Sequence, residues 1–317
     1  MRTITALFVG LGSIGTRHLK NLANLCADRG WTLQADALRS DLTRPLRPGA
    51  AELLHAQYTD LTAAPAHYDM VFITNPTSLH AEALRQVKGR GEALFIEKPI
   101  FSAEQTGLAL DELLPAGQKA YVAAPMRWCG AMLALKDRLP ALHPYCARVI
   151  CSSYLPDWRP GVDYRTVYSA RKALGGGVTI DLIHEWDYLV ELFGVPEKLY
   201  NFKGTYSELE IDSDDLSVYI AKYPTLLAEV HLDYFGRGYR RSIELFCRDG
   251  SYLADFGKGT LTLPDGTVQH YEEDVNRRYE REIEYFVDYA LTGCGESCNP
   301  PALALKVLKL TLGENVQ

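Results

Sequence analysis

Residues 4–15 read Ile4-Thr5-Ala6-Leu7-Phe8-Val9-Gly10-Leu11-Gly12-Ser13-Ile14-Gly15, an apolar run that passes directly into GxGxxG. A short continuous apolar run bounded by glycine reads as a strand covered on both faces, and residues 15–29 follow with helical spacing. In that strand-turn-helix setting the glycines have separate tasks. Gly10 permits a tight turn, Gly12 lets a pyrophosphate approach the backbone, and Gly15 lets helix and strand pack closely. The helix N-terminus, with Ser13 and Ile14 in its first turn, offers unpaired amides and a partial positive charge to phosphates. The stretch predicts a dinucleotide-binding strand-helix-strand unit.

The same alternation continues outward. Strand patterns at residues 33–38, 70–74, 93–96 and 120–124 are interleaved with helical patterns at 78–87 and 103–114, the signature of a parallel sheet. Past Pro125 the texture changes to longer alternating runs at 147–154, 198–206, 216–223, 226–235, 241–248 and 260–263, separated by turn signals such as Asp249-Gly250. Helical patterns fall at 178–193, 277–291 and 302–312. The expected architecture is α/β. Residues 1–124 form an N-terminal Rossmann doubly wound parallel sheet, and residues 125–317 a C-terminal α+β domain with an open, mostly antiparallel sheet. The helix near 302–312 is a candidate to pack back on the first domain.

Composition narrows the partners. The 317 residues are 47% apolar and 23% charged, an ordinary globular mixture, with 33 basic against 40 acidic side chains and a net charge of −7. No basic block is present, so nucleic-acid and anionic-membrane partners are disfavoured. No window approaches the roughly 18 uninterrupted apolar residues of a bilayer span, and the first ten residues do not read as a secretory signal, so a cytoplasmic location is expected. The seven scattered cysteines suit reduced thiols. Cys294 and Cys298 form a CxxxC pair without further ligands nearby, and because tetrahedral zinc needs four, no metal is expected.

Cofactor choice turns on the end of the second strand, where an acid binds a ribose hydroxyl or an arginine accommodates a 2′-phosphate. Arg39-Ser40 stands there and favours NADP(H) over NAD(H). Asp36 inside the strand and Asp41 just beyond it remain open as ribose partners. The strand at 93–96 runs into Glu97-Lys98-Pro99, where the proline holds Lys98 extended at the strand's carboxyl end, the ligand-binding edge of an open parallel sheet. An ammonium there can stabilise an alkoxide. In Gly175-Gly176-Gly177-Val178-Thr179-Ile180-Asp181-Leu182-Ile183-His184-Glu185-Trp186-Asp187-Tyr188, a helix begun near Val178 puts Asp181, His184, Glu185 and Tyr188 on one face. Leu182, Trp186, Leu189 and Phe193 share the opposite one. The plain alternative for the polar face is a wet surface. Tyr188 stands where HExxH requires histidine, which excludes a zincin, and no GxSxG supports a hydrolase.

Taken in order, GLGSIG, Asn75-Pro76-Thr77-Ser78-Leu79-His80, Glu97-Lys98-Pro99 and GGG followed by Asp181 and His184 resemble the Gfo/Idh/MocA oxidoreductases over nearly the whole chain. The resemblance implies NAD(P) bound between a Rossmann domain and an α/β domain. It implies cofactor contacts from Asn75, Pro76, His80, Glu97 and Lys98, and a catalytic set of Lys98, Asp181 and His184. A histidine suits proton transfer near neutrality. Asp181 and His184 are three residues apart where the family commonly has four, which makes Glu185 a rival to Asp181. Residues 154–165 look like the substrate loop of sugar-directed members, with Trp158, Arg159, Tyr164 and Arg165 offering an aromatic face and charged groups. Arg127 and Trp128 add a candidate pocket wall. The expected function is hydride transfer between nicotinamide and a secondary alcohol or ketone of a sugar, amino sugar or cyclitol. The other reading is a catalytically silent NAD(P)-binding sensor on the same fold. By resemblance the chain forms a homodimer or homotetramer through the exposed face of the second sheet, where Tyr219, Tyr223 and Tyr234 suit a buried face.

Overall fold

The computed structural model describes residues 2–293 and 295–316, so Cys294 lies outside the described residues. The chain forms two compact units, Met1–Ala123 with Tyr279–Leu305, and Ala124–Arg278 with Lys306–Gln317.

The first unit runs β1 (Thr3–Val9), α1 (Ser13–Asp28), β2 (Thr32–Leu38), β3 (Leu54–Tyr58), β4 (Tyr68–Ile73), α2 (His80–Gln86), β5 (Gly91–Ile96), α3 (Leu110–Leu113) and β6 (Lys119–Val122). The six strands are parallel in the order β3-β2-β1-β4-β5-β6. β1 pairs with β2 on one side and β4 on the other, which is why its sequence is continuously apolar. Strand order reverses beside β1, and in such sheets that is where ligands meet the carboxyl ends of the strands. Phe8, Phe72, Phe95 and Tyr121 form the centre of the core, joined by Phe286 of the helix Asn276–Thr292. That packing explains why a segment so late in sequence belongs to the first unit.

Two local expectations change. β3 has no apolar run because it is an edge strand with alternating partial exposure. The helix expected at 103–114 is a turn at Ala103–Gln105 closed by a Ser102–Gln105 capping box, then only the four residues of α3. Gly107 lies between them, and glycine weakens a helix interior.

The second unit contains a turn at Pro125–Trp128, α4 (Gly130–Arg138), β7 (Cys146–Tyr154), α5 (Val178–Asp181), α6 (His184–Phe193) and seven further strands. These are β8 (Lys198–Gly204), β9 (Leu216–Lys222), β10 (Leu227–Asp233), β11 (Phe235–Cys247), β12 (Gly250–Asp255), β13 (Thr260–Thr262) and β14 (Val268–His270). Their order is β14-β13-β12-β11-β7-β10-β9-β8. All neighbours are antiparallel except β7 and β10, which makes the sheet mostly antiparallel. One face is buried through Val149, Tyr219, Val230 and Ile243. Tyr219, Tyr223 and Tyr234 lie inside the unit, at 0%, 3% and 0% exposure, and Tyr219 donates to Thr311 O. They therefore do not mark the outward face, which instead carries Ile150, Val218, Ile220 and Leu227. The helix expected at 178–193 is broken at Leu182-Ile183 into α5 and α6.

Candidate functional site

In the first unit the fingerprint glycines differ in what a side chain would meet. Gly10 has φ +89°, and a Cβ there would lie 2.8 Å from Asn75 Cα. A Cβ on Gly15 would come within 2.6 Å of Gly10 O and Thr74 Oγ1. Gly12 would meet nothing within 4 Å. The fold itself leaves room for a side chain there, and that open space is compatible with the close approach of a pyrophosphate. α1 begins with no side-chain cap and no acid in its first turn, so its amides and positive dipole end stay available to an anion. Asn75 adds a buried Oδ1 that has no hydrogen-bond partner among the described residues. These residues fit a dinucleotide.

At the end of β2, the Arg39 guanidinium is steadied by Gln57 Oε1 at 2.7 Å and by the Arg44 carbonyl, and Ser40 is exposed beside it. Both acids that could compete for a ribose are otherwise engaged. Asp36 is buried and accepts from Tyr68 OH at 2.8 Å and lies 3.2 Å from His55 Nδ1. Asp41 accepts from Thr43 N and Oγ1 at 2.8 and 2.6 Å.

β5 delivers Glu97-Lys98-Pro99. Glu97 is buried, with Oε1 at 2.5 Å from His18 Nε2 and Oε2 accepting the Lys98 amide at 3.1 Å. His18 is fully buried on α1 against Phe95 and Tyr279. Burial alone would push the Glu97 carboxyl up, but the His18 hydrogen bond, with the charges of His18 and Lys98, holds it below the ordinary carboxylate value. The Lys98 backbone is thus fixed from α1, while its ammonium has no hydrogen-bond or ion-pair partner among the described residues. His80 is also fully buried, bridging Ile100 O at 3.1 Å and Asn75 O at 3.0 Å, and burial holds its pKa below the usual value. It braces the loops after β4 and β5 from behind. Pro76, exposed, starts the turn after Asn75.

In the second unit the glycine run shapes the approach to α5. A Cβ on Gly176 would sit 2.0 Å from Tyr168 O, and Gly177, at φ +127°, would meet Asp214 Oδ1 at 2.3 Å. Asp214 in turn accepts from Thr179 N at 2.9 Å. Asp181 closes α5 with both oxygens occupied, Oδ1 by Tyr168 OH and Oδ2 by Tyr234 OH, each at 2.5 Å. His184 opens α6, half-buried. Glu185, the rival to Asp181, is fully buried and paired with Arg241 at 2.7 and 3.0 Å. Asp187 and Glu191 take up Arg127 at 2.7 and 2.6 Å. Burial raises the Asp187 carboxyl above its ordinary value despite the opposing pull of Arg127. Arg127, read as pocket wall, therefore anchors α6, and Glu185 does the same from the other side. Trp128 borders that anchor in the turn Pro125–Trp128.

The loop after β7 divides. Trp158 packs edge-on against Tyr234 at 5.2 Å and donates Nε1–H to Ser153 Oγ at 3.0 Å. The Arg159 guanidinium lies 6.0 Å from the Tyr168 ring centre. Both loop residues are thereby brought to the tyrosines that hold Asp181. Arg165 is bound to Asp163 and Glu210 at 2.9 and 2.6 Å, and Tyr164 OH accepts the Glu210 amide at 3.2 Å. Sequence reasoning missed His18 and Tyr168, and assigned Tyr234 to the outward sheet face rather than to Asp181. His18 follows Gly15 by three residues on the buried face of α1, a polar residue in an apolar stripe; Tyr168 carried no local signal. Among the described residues no cluster of three or more His, Cys, Asp or Glu could hold a metal ion, and no helix is long and apolar enough to cross a membrane.

Comparison with known proteins accords with this geometry. Residues 4–123 match the family model described as oxidoreductase family, NAD-binding Rossmann fold, of the Gfo/Idh/MocA group. An uncharacterized oxidoreductase, YrbE, of Bacillus subtilis (strain 168) is 23% identical over 308 residues, covering 90% of this chain and 86% of its own. Inositol 2-dehydrogenase of Rhizobium meliloti (strain 1021) is 26% identical over 200 residues, 61% of this chain and 56% of its own. An oxidoreductase from Agrobacterium radiobacter, solved in complex with NAD+, L-tartaric acid and magnesium, shares the fold at a TM-score of 0.79 and 17% identity, covering 98% of this chain and 95% of its own.

Proposed function

We propose, from the premise that this chain is an oxidoreductase of the Gfo/Idh/MocA family whose residues 4–123 are its NAD-binding Rossmann fold, that it acts on a secondary alcohol or ketone of a sugar, amino sugar or cyclitol with NADP(H). The observation that carries the reading is Lys98, whose backbone is fixed through Glu97 and His18 while its ammonium has no hydrogen-bond or ion-pair partner among the described residues. When bound, the nicotinamide takes or supplies the hydride. Lys98 donates a hydrogen bond to the carbinol oxygen and stabilises the alkoxide as it forms. In the oxidative direction the carbinol carbon loses its C–H pair as hydride and the hydroxyl proton passes to His184, whose imidazole suits transfer near neutrality. Asp181 orients the substrate. Trp158 offers an aromatic wall for the apolar side of a ring and Arg159 a donor to its polar groups, which supports a carbohydrate-like substrate; the similarity to an inositol 2-dehydrogenase points the same way. Arg39 and Ser40 support NADP(H), since Asp36 and Asp41 are spent on other partners. We further propose a homodimer or homotetramer formed through the outward face of the second sheet, located in the cytoplasm.

The test is fluorescence titration with NADPH and NADH, followed by absorbance screening of myo-inositol, scyllo-inositol, D-glucose and N-acetylglucosamine. Lys98→Ala and His184→Ala should each lower kcat by about a hundredfold or more with cofactor binding retained. Full turnover in both variants overturns the mechanism. Cofactor binding with no turnover across a broad sugar panel supports the silent sensor instead.

A further inference from the structure

We infer that Tyr168 and Tyr234 are positioning residues for Asp181, and that through them the Trp158-Arg159 loop sets the carboxylate that orients the substrate. The inference rests on the proposed role of Asp181. A carboxylate on the last residue of a four-residue helix has little backbone support of its own, because Leu182 leaves helical geometry directly after it. The two tyrosine hydroxyls supply that support. They come from separate segments and bond opposite oxygens, which stops the carboxylate rotating about its terminal torsion. Each oxygen keeps a second acceptor direction for a substrate hydroxyl.

The tyrosines are suited to act as permanent donors. Burial first, and the Asp181 charge second, push both phenols above their ordinary value, so they stay protonated over the working pH range. Each ring also touches one residue of the loop after β7. Trp158 meets the Tyr234 ring edge-on and is itself anchored on Ser153, and Arg159 lies over Tyr168. The Tyr168 backbone is fixed against the glycine run, since Gly176 leaves no space for a Cβ beside its carbonyl. Glu185 is held away from this arrangement by Arg241. Asp181 is consequently the carboxylate whose placement follows the loop.

Tyr→Phe substitution removes only the hydroxyl and keeps the ring packing. The experiment measures kcat, KM and NADPH Kd for Tyr168→Phe, Tyr234→Phe and Asp181→Asn, and for each tyrosine variant combined with Asp181→Asn, using the sugar of the panel above with the highest rate. Each tyrosine variant should lose about tenfold in kcat, the scale of a hydrogen bond to a charged group, with KM and NADPH Kd within about threefold of the parent. In the Asp181→Asn background the same change should alter kcat by less than about twofold, because there is no longer a carboxylate to place. A role limited to packing would cost the same in both backgrounds, and equal losses, or no loss in the single variants, overturn the inference. Turnover with additive effects refutes this inference alone, whereas no turnover of any sugar refutes the functional reading and this inference with it.

Discussion

In the proposed NADP(H) reading, the Arg39 guanidinium is already steadied by Gln57 and the Arg44 carbonyl, so little side-chain freedom would be lost on binding a 2′-phosphate. Arg39→Ala should weaken NADPH binding by about tenfold or more while NADH binding changes less than about threefold; equal weakening of both would mean the guanidinium does not read the phosphate. His18 permits a second prediction. The Glu97 carboxyl is held below its ordinary value of 4.5, so its contribution to stability is present above that value and is lost as pH falls through the lower folded one. His18→Leu removes the hydrogen bond and charge that lower it but keeps the burial that raises it. Tm followed from roughly pH 8 down to 3 should therefore lose less on acidification in the variant than in the parent, because a carboxyl no longer held down takes up its proton in the folded state at least as readily as in the unfolded one. Superimposable profiles would show that His18 does not hold the carboxyl down.

The strand-turn-helix at Gly10–Gly15 separates fold from ligand, because its glycines are needed for different reasons. Gly15→Ala forces a Cβ to within 2.6 Å of a carbonyl oxygen and of Thr74, and should cost about 2 kcal/mol or more in denaturant unfolding. Gly12→Ala meets nothing in the protein, so unfolding should shift by less than about 0.5 kcal/mol while NADPH affinity falls severalfold. The reverse pattern would assign the glycines wrongly. This element was fully legible in the sequence, since its information lies within a dozen neighbouring residues. The helices that carry Asp181 and His184 were not. Residues 178–193 have continuous helical spacing, and neither Leu182 nor Ile183 breaks a helix intrinsically, so the bend there is imposed by packing. Glu185 and Arg127 looked like substrate groups for a related reason. Their partners Arg241 and Asp187 lie 56 and 60 residues away, and no pattern in a single sequence reports such a pairing. Tyr234, expected on the outward face of the second sheet, is buried with its hydroxyl on Asp181, a contact that no alternation of apolar residues reports.

At the scale of the whole molecule, the net charge of −7 has to coexist with an anionic cofactor, and the proposed cofactor site draws its positive groups from α1's N-terminus, Arg39 and Lys98. The outward face of the second sheet poses a different question. Its β8 edge leaves Tyr200 52% and Phe202 73% exposed, and Ile220 and Leu227 on β9 and β10 are 37% and 42% exposed. Beside them a groove of about 560 Å³ runs past Ile150, Val218 and His231. An apolar strip crossing several strands marks an association surface more often than a water-facing one. The charges on the same face are arranged to tolerate burial, since Arg148 pairs with Glu229 at 3.2 Å and His231 sits 2.9 Å from Asp233. A symmetric partner using this face meets its own copy of the strip, as closed homo-oligomers require. Sedimentation at micromolar concentration should accordingly give two or four times the 35.4 kDa chain mass. Ile220→Lys combined with Val218→Lys places charge in the strip without touching the inward residues Tyr219 and Ala221, so the fold should survive while the species reverts to 35.4 kDa. A parent that sediments as a monomer, or a doubly charged variant that keeps the parent's mass, would remove this face from the assembly.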